Sequence, residues 1–271
     1  MSFLGISIVA GTTAVCIVLG IAARRSFAQR RVDLVRTLHL VSPADAPRTD
    51  LPPEVRKLAE RAGTPPSHPP RLVQFRQSGM MTLGRNPLGF KAEQVAAVAR
   101  LGFVWDALVK LGPMHIAVID ALVDDEARLE ARVFGWLPVA KLAASDAAYR
   151  GEAMRYLAEL MWNPDAILFN REIVWRVVAH DVLAAAIGVG ERYCEVRYHL
   201  DADGDVSRIS ADRRPRAVGD RFVETPWCAD YSRYRTIGGR RLPSYGRVAW
   251  VIDGQEQVYW RGHLDTWTAV Y

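Results

Sequence analysis

The feature that most constrains this chain is a period of two. Val196, Tyr198 and Leu200 alternate with Glu195, Arg197 and His199, and Val258, Trp260 and Leu264 are set among Tyr259, Arg261, His263 and Asp265. Such alternation belongs to strands that bury one face. Asp203-Gly204, Gly238-Gly239 and Asp253-Gly254 each stand between two β-prone segments, as hairpin turns do. An antiparallel meander follows, with further strands expected over residues 72–83, 90–99, 103–109, 115–123, 128–142 and 173–178. One helix interrupts it, from Asp146 to Trp162, ended by Asn163-Pro164. Met154, Leu157, Leu160 and Met161 give that helix an apolar stripe, and Arg155 stands four residues before Glu159, within pairing reach. The fold class expected is α+β.

The N-terminus reads differently. Phe3 to Ala23 carry no charged side chain, and Arg24, Arg25, Arg30, Arg31 and Arg36 follow. As a helix the run spans roughly 30 Å, the thickness of a bilayer's hydrocarbon core. A cleaved signal peptide would put its positive charge before the run, so a retained single-pass anchor in the inner membrane is expected. The positive-inside rule then makes the body cytoplasmic, the alternative being periplasmic or extracellular. Phe27, Leu34, Leu38 and Val41 recur at helical spacing, so a basic helix continues past the run. It can lie on anionic headgroups or pack on the folded body; the sequence leaves both open.

Three segments are expected: an anchor with its basic helix over 1–41, a linker over 42–70, and a β-rich domain over 71–271. Eight of the chain's fifteen prolines lie between Pro43 and Pro70, around one short helix from Glu54 to Ala62. Three cysteines, Cys16, Cys194 and Cys228, allow at most one disulfide outside the apolar run, which suits a reducing compartment or indifference to redox.

No catalytic grouping emerges. The six histidines are scattered, with no pair at metal-ligand spacing. Cys194 and His199 face opposite sides of one strand, and Gly188-Val189-Gly190 lacks the third glycine of a dinucleotide site. Asp201-Ala202-Asp203-Gly204-Asp205 suits a hairpin turn better than a calcium loop, since no distal glutamate follows. No catalytic residue, metal or cofactor is assigned. Between Asp205 and Arg247 ten arginines stand against five acids, with aromatic residues among them. That pattern fits a solvated sheet face or a grip on lipid phosphate, and nucleic acid is not an expected partner.

All eight tryptophans lie beyond residue 100, where they fill a sandwich core or line a concavity for an apolar ligand. Arg155-Tyr156-Leu157-Ala158-Glu159-Leu160-Met161-Trp162-Asn163-Pro164, then Ala166, Leu168 and Trp175, resembles a bacterial family known only as a domain of unknown function. Phe103-Val104-Trp105-Asp106-Ala107, Pro226-Trp227, Gly238-Gly239-Arg240-Arg241-Leu242-Pro243 and Val248-Ala249-Trp250 match its other marks in order. The resemblance covers roughly residues 71 to 271. It implies a curved antiparallel sheet similar to the half-barrel of lipoprotein carriers (LolA-like), with helices on the concave side, and it implies no activity. One departure is Val123-Asp124-Asp125-Glu126, where the turn is expected to carry glycine. The reading is a membrane-held domain that binds a lipid or other apolar molecule. Trp105, Trp162, Trp175 and Trp250 are expected to supply apolar contact, and Arg155 and Glu159 to position a polar head. The alternatives are a structural or interaction protein with a filled core, and a hydrolase whose site goes unrecognised.

Overall fold

The computed structural model describes residues 3–40, 46–64, 66, 68–84 and 86–271, with side chains from Leu19 onward apart from Leu83. Two meanders form. The first holds β1 (Leu72–Leu83), β2 (Asn86–Ala97), β3 (Phe103–Leu111), β4 (Met114–Val123), β5 (Glu126–Val133) and β6 (Leu137–Lys141). The second holds β7 (Val174–Ala179), β8 (Val182–Ile187), β9 (Cys194–Leu200), β10 (Val206–Val218), β11 (Arg221–Ile237), β12 (Arg240–Ile252) and β13 (Gln255–Val270). Between them run α3 (Asp146–Ala158), a 3-10 turn (Glu159–Met161) and α4 (Asp165–Phe169). Pairing of β1 with β13 joins the meanders into one 13-stranded antiparallel sheet, ordered β6-β5-β4-β3-β2-β1-β13-β12-β11-β10-β9-β8-β7.

The sheet is open and curved. Helix α3 touches β4 and β5 near one edge and β8, β9 and β10 near the other. If the sheet were flat, β5 and β9 would lie about 43 Å apart, nine strand spacings, while a helix with its side chains is only about 10 Å across. The sheet must therefore wrap around α3, and the main core lies in its hollow, built by Phe75, Phe103, Leu157, Leu160, Ile209 and Leu242 among others. Ser145 caps α3 by accepting from the Ala148 amide at 3.1 Å.

Local chemistry explains where the elements depart from the period-two reading. Asp124 and Asp125 both adopt left-handed backbone (φ 50° and 61°), so β4 and β5 join through a two-residue turn of the primed kind with no glycine. Phe134 and Gly135 also turn left-handed and split the expected strand 128–142 into β5 and β6. Strand β8, Val182-Leu183-Ala184-Ala185-Ala186-Ile187, has no expected counterpart, because buried residues on both of its faces leave no polar alternation to read.

Helix α1 (Phe3–His39) and helix α2 (Pro53–Arg61) precede the sheet. From Phe27 onward α1 lies on the convex face, where Phe27, Leu34 and Leu38 pack with Leu72, Val95, Val104, Ile119 and Val123. Arg31 binds Asp106 at 2.8 Å and Glu93 at 3.3 Å, Arg30 binds Glu130, and Arg132 reaches the Ala23 carbonyl at 3.2 Å. The basic segment thus spends Arg30 and Arg31 on the protein's own carboxylates. Most of the expected anchor, residues 3–18, has side chains outside the described residues, and Val41 of the basic helix and residues 42–45, 65 and 67 of the proline-rich stretch lie wholly outside them. Among the described residues no helix is long and apolar enough to cross a membrane. That finding overturns the single-pass inner-membrane placement and the cytoplasmic orientation derived from it. Helix α2 follows the expected Glu54–Ala62 closely, and its Val55, Leu58 and Ala59 join the main core.

Candidate ligand-binding site

The helix motif pins α3 and its 3-10 extension into the hollow. The last carbonyls of a helix lack partners of their own. Here sheet tyrosines supply them: Tyr198 donates to the Leu157 carbonyl and Tyr231 to the Ala158 carbonyl at 2.9 Å. Tyr156 donates to the Ala97 carbonyl at 3.0 Å, Asn163 donates to that same oxygen at 2.9 Å, and Asn170 holds the Tyr156 hydroxyl at 3.0 Å. Trp162 donates through Nε1 to the Pro243 carbonyl at 2.9 Å, while its own carbonyl accepts from Trp267 at 2.7 Å. Gly246 leaves room for that indole, since a Cβ there would come within 3.3 Å of it.

On the sheet side of α3 sits a largely buried charge cluster. Arg155 Nη1 binds Asp120 at 2.6 Å, Nε binds Glu159 at 2.9 Å and Nη2 binds the Gln94 side-chain oxygen at 3.2 Å. Gln94 in turn donates to Glu159. The guanidinium lies over Phe103 at 4.8 Å and Trp105 at 5.2 Å. A second arginine enters from β10. An extra residue between Ala211 and Arg214 shifts the register against β11 and turns Arg214 inward, where unbroken alternation would have put it outside. Arg214 donates to the Gly151 carbonyl at 3.0 Å and to the Tyr259 hydroxyl at 3.1 Å, and lies over Trp227 at 4.6 Å.

Two acids of this cluster are perturbed. Burial, reinforced by the nearby Asp120 charge, pushes Glu152 up to about 8. Burial also raises Asp120, against the pull of Arg155. Each keeps one buried oxygen without a hydrogen-bond partner, Oε2 of Glu152 and Oδ1 of Asp120.

Against these groups the hollow leaves a cavity of about 250 Å³. Trp105, Trp162, Trp227, Tyr231, Tyr259 and Trp260 wall it, and Asp120, Glu152, Arg155, Glu159 and Arg214 form its polar side. A bulge between β12 and β13 carries the extra residue Tyr259, which lets Tyr259 and Trp260 both face the cavity although the simple alternation set them on opposite sides. The Trp260 ring lies on Gly262, where a Cβ would come within 2.3 Å of it.

Of the residues expected to form a site, Trp105, Arg155, Glu159 and Trp162 come together on this cavity. Trp250 is one layer removed, stacked on Tyr259 at 5.7 Å and lying 5.4 Å from the Arg214 guanidinium. Trp175 is elsewhere, packed against Tyr198 at 5.2 Å in the β7–β9 corner. Asp120, Glu152 and Arg214 were not expected. Asp120 interrupts the apolar run Ile116–Val123 of β4, a signal the sequence did carry; Arg214 depends on a bulge that no residue announces.

Among the described residues, the other chemistry-bearing groups form no second site. Cys194 and Cys228 are free and buried, their thiols pushed up to about 12 and about 11 chiefly by burial. Cys228, Asp230 and Glu256 bring one ligand atom each within 4.8 Å of one another on the outer face. Arg208 and Arg247 already hold both carboxylates, and a protonated thiol is a poor metal ligand. The Asp201–Asp205 segment is a hairpin turn, with Asp201 Oδ1 accepting from the amides of Asp203 and Asp205.

Comparison with known proteins places the chain. It belongs to the family of unknown function DUF6544, which matches residues 41–262. No curated protein matches it. A LolA superfamily protein from Nitrosomonas europaea, NE2245, is similar in structure at 9% identity and a TM-score of 0.42, over 80% of this chain and 92% of that one. A DUF1329 family protein from Desulfovibrio piger is similar at 13% identity and a TM-score of 0.44, over 80% and 90%.

Proposed function

We propose that this protein binds a small apolar molecule between α3 and the curved sheet. The observation that carries this reading is the aromatic-walled cavity of about 250 Å³ inside the main core. Protein interiors leave few voids larger than a water molecule, and a dry apolar void of about 150 Å³ suffices for a benzene-sized guest. Drug-sized ligands take roughly 300–1,000 Å³, so one short alkyl chain or a ring system fits here better than a lipid with several chains. Trp105 and Trp162 supply apolar contact, and Arg155 and Glu159, locked by their mutual hydrogen bond, orient the polar side. Trp250 acts through Tyr259, and Trp175 braces the sheet.

Native mass spectrometry of the full chain, purified without delipidation, tests this directly. One apolar adduct of a few hundred daltons is expected, together with saturable, equimolar quenching of tryptophan fluorescence by decanol. Ala229→Phe narrows the cavity and is expected to weaken decanol binding. Repeated preparations with no extractable adduct and no saturable decanol binding would overturn the proposal in favour of a structural role.

A further inference from the structure

Two orphaned acceptors inside a cavity say which end of a ligand belongs there. The charged donors on the cavity wall are already spent. Arg155 serves Asp120, Glu159 and Gln94, and Arg214 serves the Gly151 carbonyl and Tyr259. Arg247 borders the cavity from β12 but spends its guanidinium on Asp230 and Glu256 of the outer face. Of the cavity's carboxylate oxygens, Oδ1 of Asp120, a residue only 8% exposed, and Oε2 of Glu152, 4.0 Å from Arg155 Nη1, accept no hydrogen bond, while the Tyr259 hydroxyl accepts from both Arg214 and Trp227. Gln77 Nε2, an orphaned donor bonded to Trp105 through its other side-chain atom, is not on the cavity wall.

Charge points the same way. Arg155 and Arg214 face three carboxylates, those of Asp120, Glu152 and Glu159. While Glu152 holds its proton the two arginines balance Asp120 and Glu159; once that proton is lost, a carboxylate or phosphate head would find no free charged donor and would meet an excess of acid. An alkylammonium carries three donors, enough for both open oxygens, and its charge completes the cluster. Leaving a buried acceptor unmade costs about 1–3 kcal/mol, so a head group that fills both is strongly selected.

We propose that the apolar ligand enters with a hydrogen-bond donor at its buried end, an amine ahead of an alcohol, and that Asp120 and Glu152 receive it. This deepens the apolar-cavity reading and rests on it. Glu152 is faced by Asp120 from β4, Arg155 and Glu159 from the helical segment, Arg214 from β10 and Tyr259 from β13. In that setting the Glu152 proton must leave before an ammonium can occupy the site, so amine binding is linked to pH.

Isothermal titration calorimetry of the full chain with decylamine, decanol and decanoate separates the possibilities. At pH 7 decylamine is expected to bind at least tenfold more tightly than decanoate, with decanol between them. Decylamine affinity should rise by up to about tenfold per pH unit from pH 6 to 8, while decanol stays flat. Glu152→Gln and Asp120→Asn should each lower the ratio of decylamine to decanol affinity. Decanoate binding as tightly as decylamine, or a decylamine affinity indifferent to pH, sinks the head-group assignment and leaves the cavity reading standing. Binding of none of the three overturns both.

Discussion

Two arginine clusters occupy opposite faces of the same sheet. Inside, Arg155 and Arg214 meet Asp120, Glu152 and Glu159 beside a cavity. Outside, Arg208 and Arg247 meet Asp230 and Glu256, with Arg208 to Asp230 and Arg208 to Glu256 both at 2.6 Å. The residue types are the same and the distances as short. Burial is what differs: Arg155 shows 17% of its side chain to solvent and Arg208 shows 38%. In water the outer pairs gain little over their hydrated states, whereas the inner charges must satisfy one another or leave. The outer cluster has as many acids as arginines, and the inner one has three acids for two arginines, with one open oxygen on Asp120 and one on Glu152. The sheet thus keeps two acids for two arginines where it faces solvent and three for two beside the cavity.

The sharpest way to break this contrast is to remove the central inner arginine. Arg155→Met strands Asp120 and Glu159, and the expected loss is about 3–5 kcal/mol of unfolding free energy in a urea titration. A loss no larger than that of an outer arginine would mean the inner cluster is hydrated, and the contrast would fail. Next comes the support of α3. Tyr231→Phe leaves the Ala158 carbonyl unpaired in the core, and about 1–3 kcal/mol should be lost by the same measurement.

Acid titration distinguishes the faces without a large structural change. The folded state raises Glu152 to about 8, above the usual unfolded value near 4.3. Between those limits the native state holds a proton that the unfolded chain has released. Its stabilising effect is therefore complete below about pH 4.3 and is lost as pH rises through 8, by up to about 1.4 kcal/mol per pH unit. Tm measured across this window should fall with pH for the native chain, and the Glu152→Gln variant should lose that part of the slope. An unchanged slope in the variant would place the titrating group elsewhere.

How far the sequence disclosed these faces depends on what breaks alternation. Val196, Tyr198 and Leu200 announce β9 with its inner face, and the motif from Arg155 to Pro164 announces the helical plug; the structure places both as expected. Arg214 was not singled out and Tyr259 was set on the face opposite Trp260 because single-residue bulges flip side-chain parity, and no residue type marks a bulge reliably. Strand β8 was unreadable because tertiary burial covers both faces. Trp175 and Trp250 were grouped with Trp105 and Trp162 by residue type alone, whereas membership in the cavity is decided by curvature, which brings β4 and β10 to one helix. The apolar N-terminal run was weighed by its hydropathy and flanking charge. The arginines beyond it instead found Glu130, Asp106 and Glu93 across the convex face, pairings that link residues far apart in the chain.

The smallest effect is expected outside. Arg208→Met removes the pairs to Asp230 and Glu256, but Arg247 still holds both carboxylates, at 2.7 Å each. Solvent also rehydrates whatever is released. The loss should be about 0.2–1 kcal/mol, and it should shrink further in 1 M salt, where the screening length falls to about 3 Å. Arg155→Met should respond to salt far less, because mobile ions do not enter its surroundings. If both variants lost the same energy and regained it equally on adding salt, burial would not be what separates the two faces, and the open oxygens of Asp120 and Glu152 would be as well solvated as Glu256.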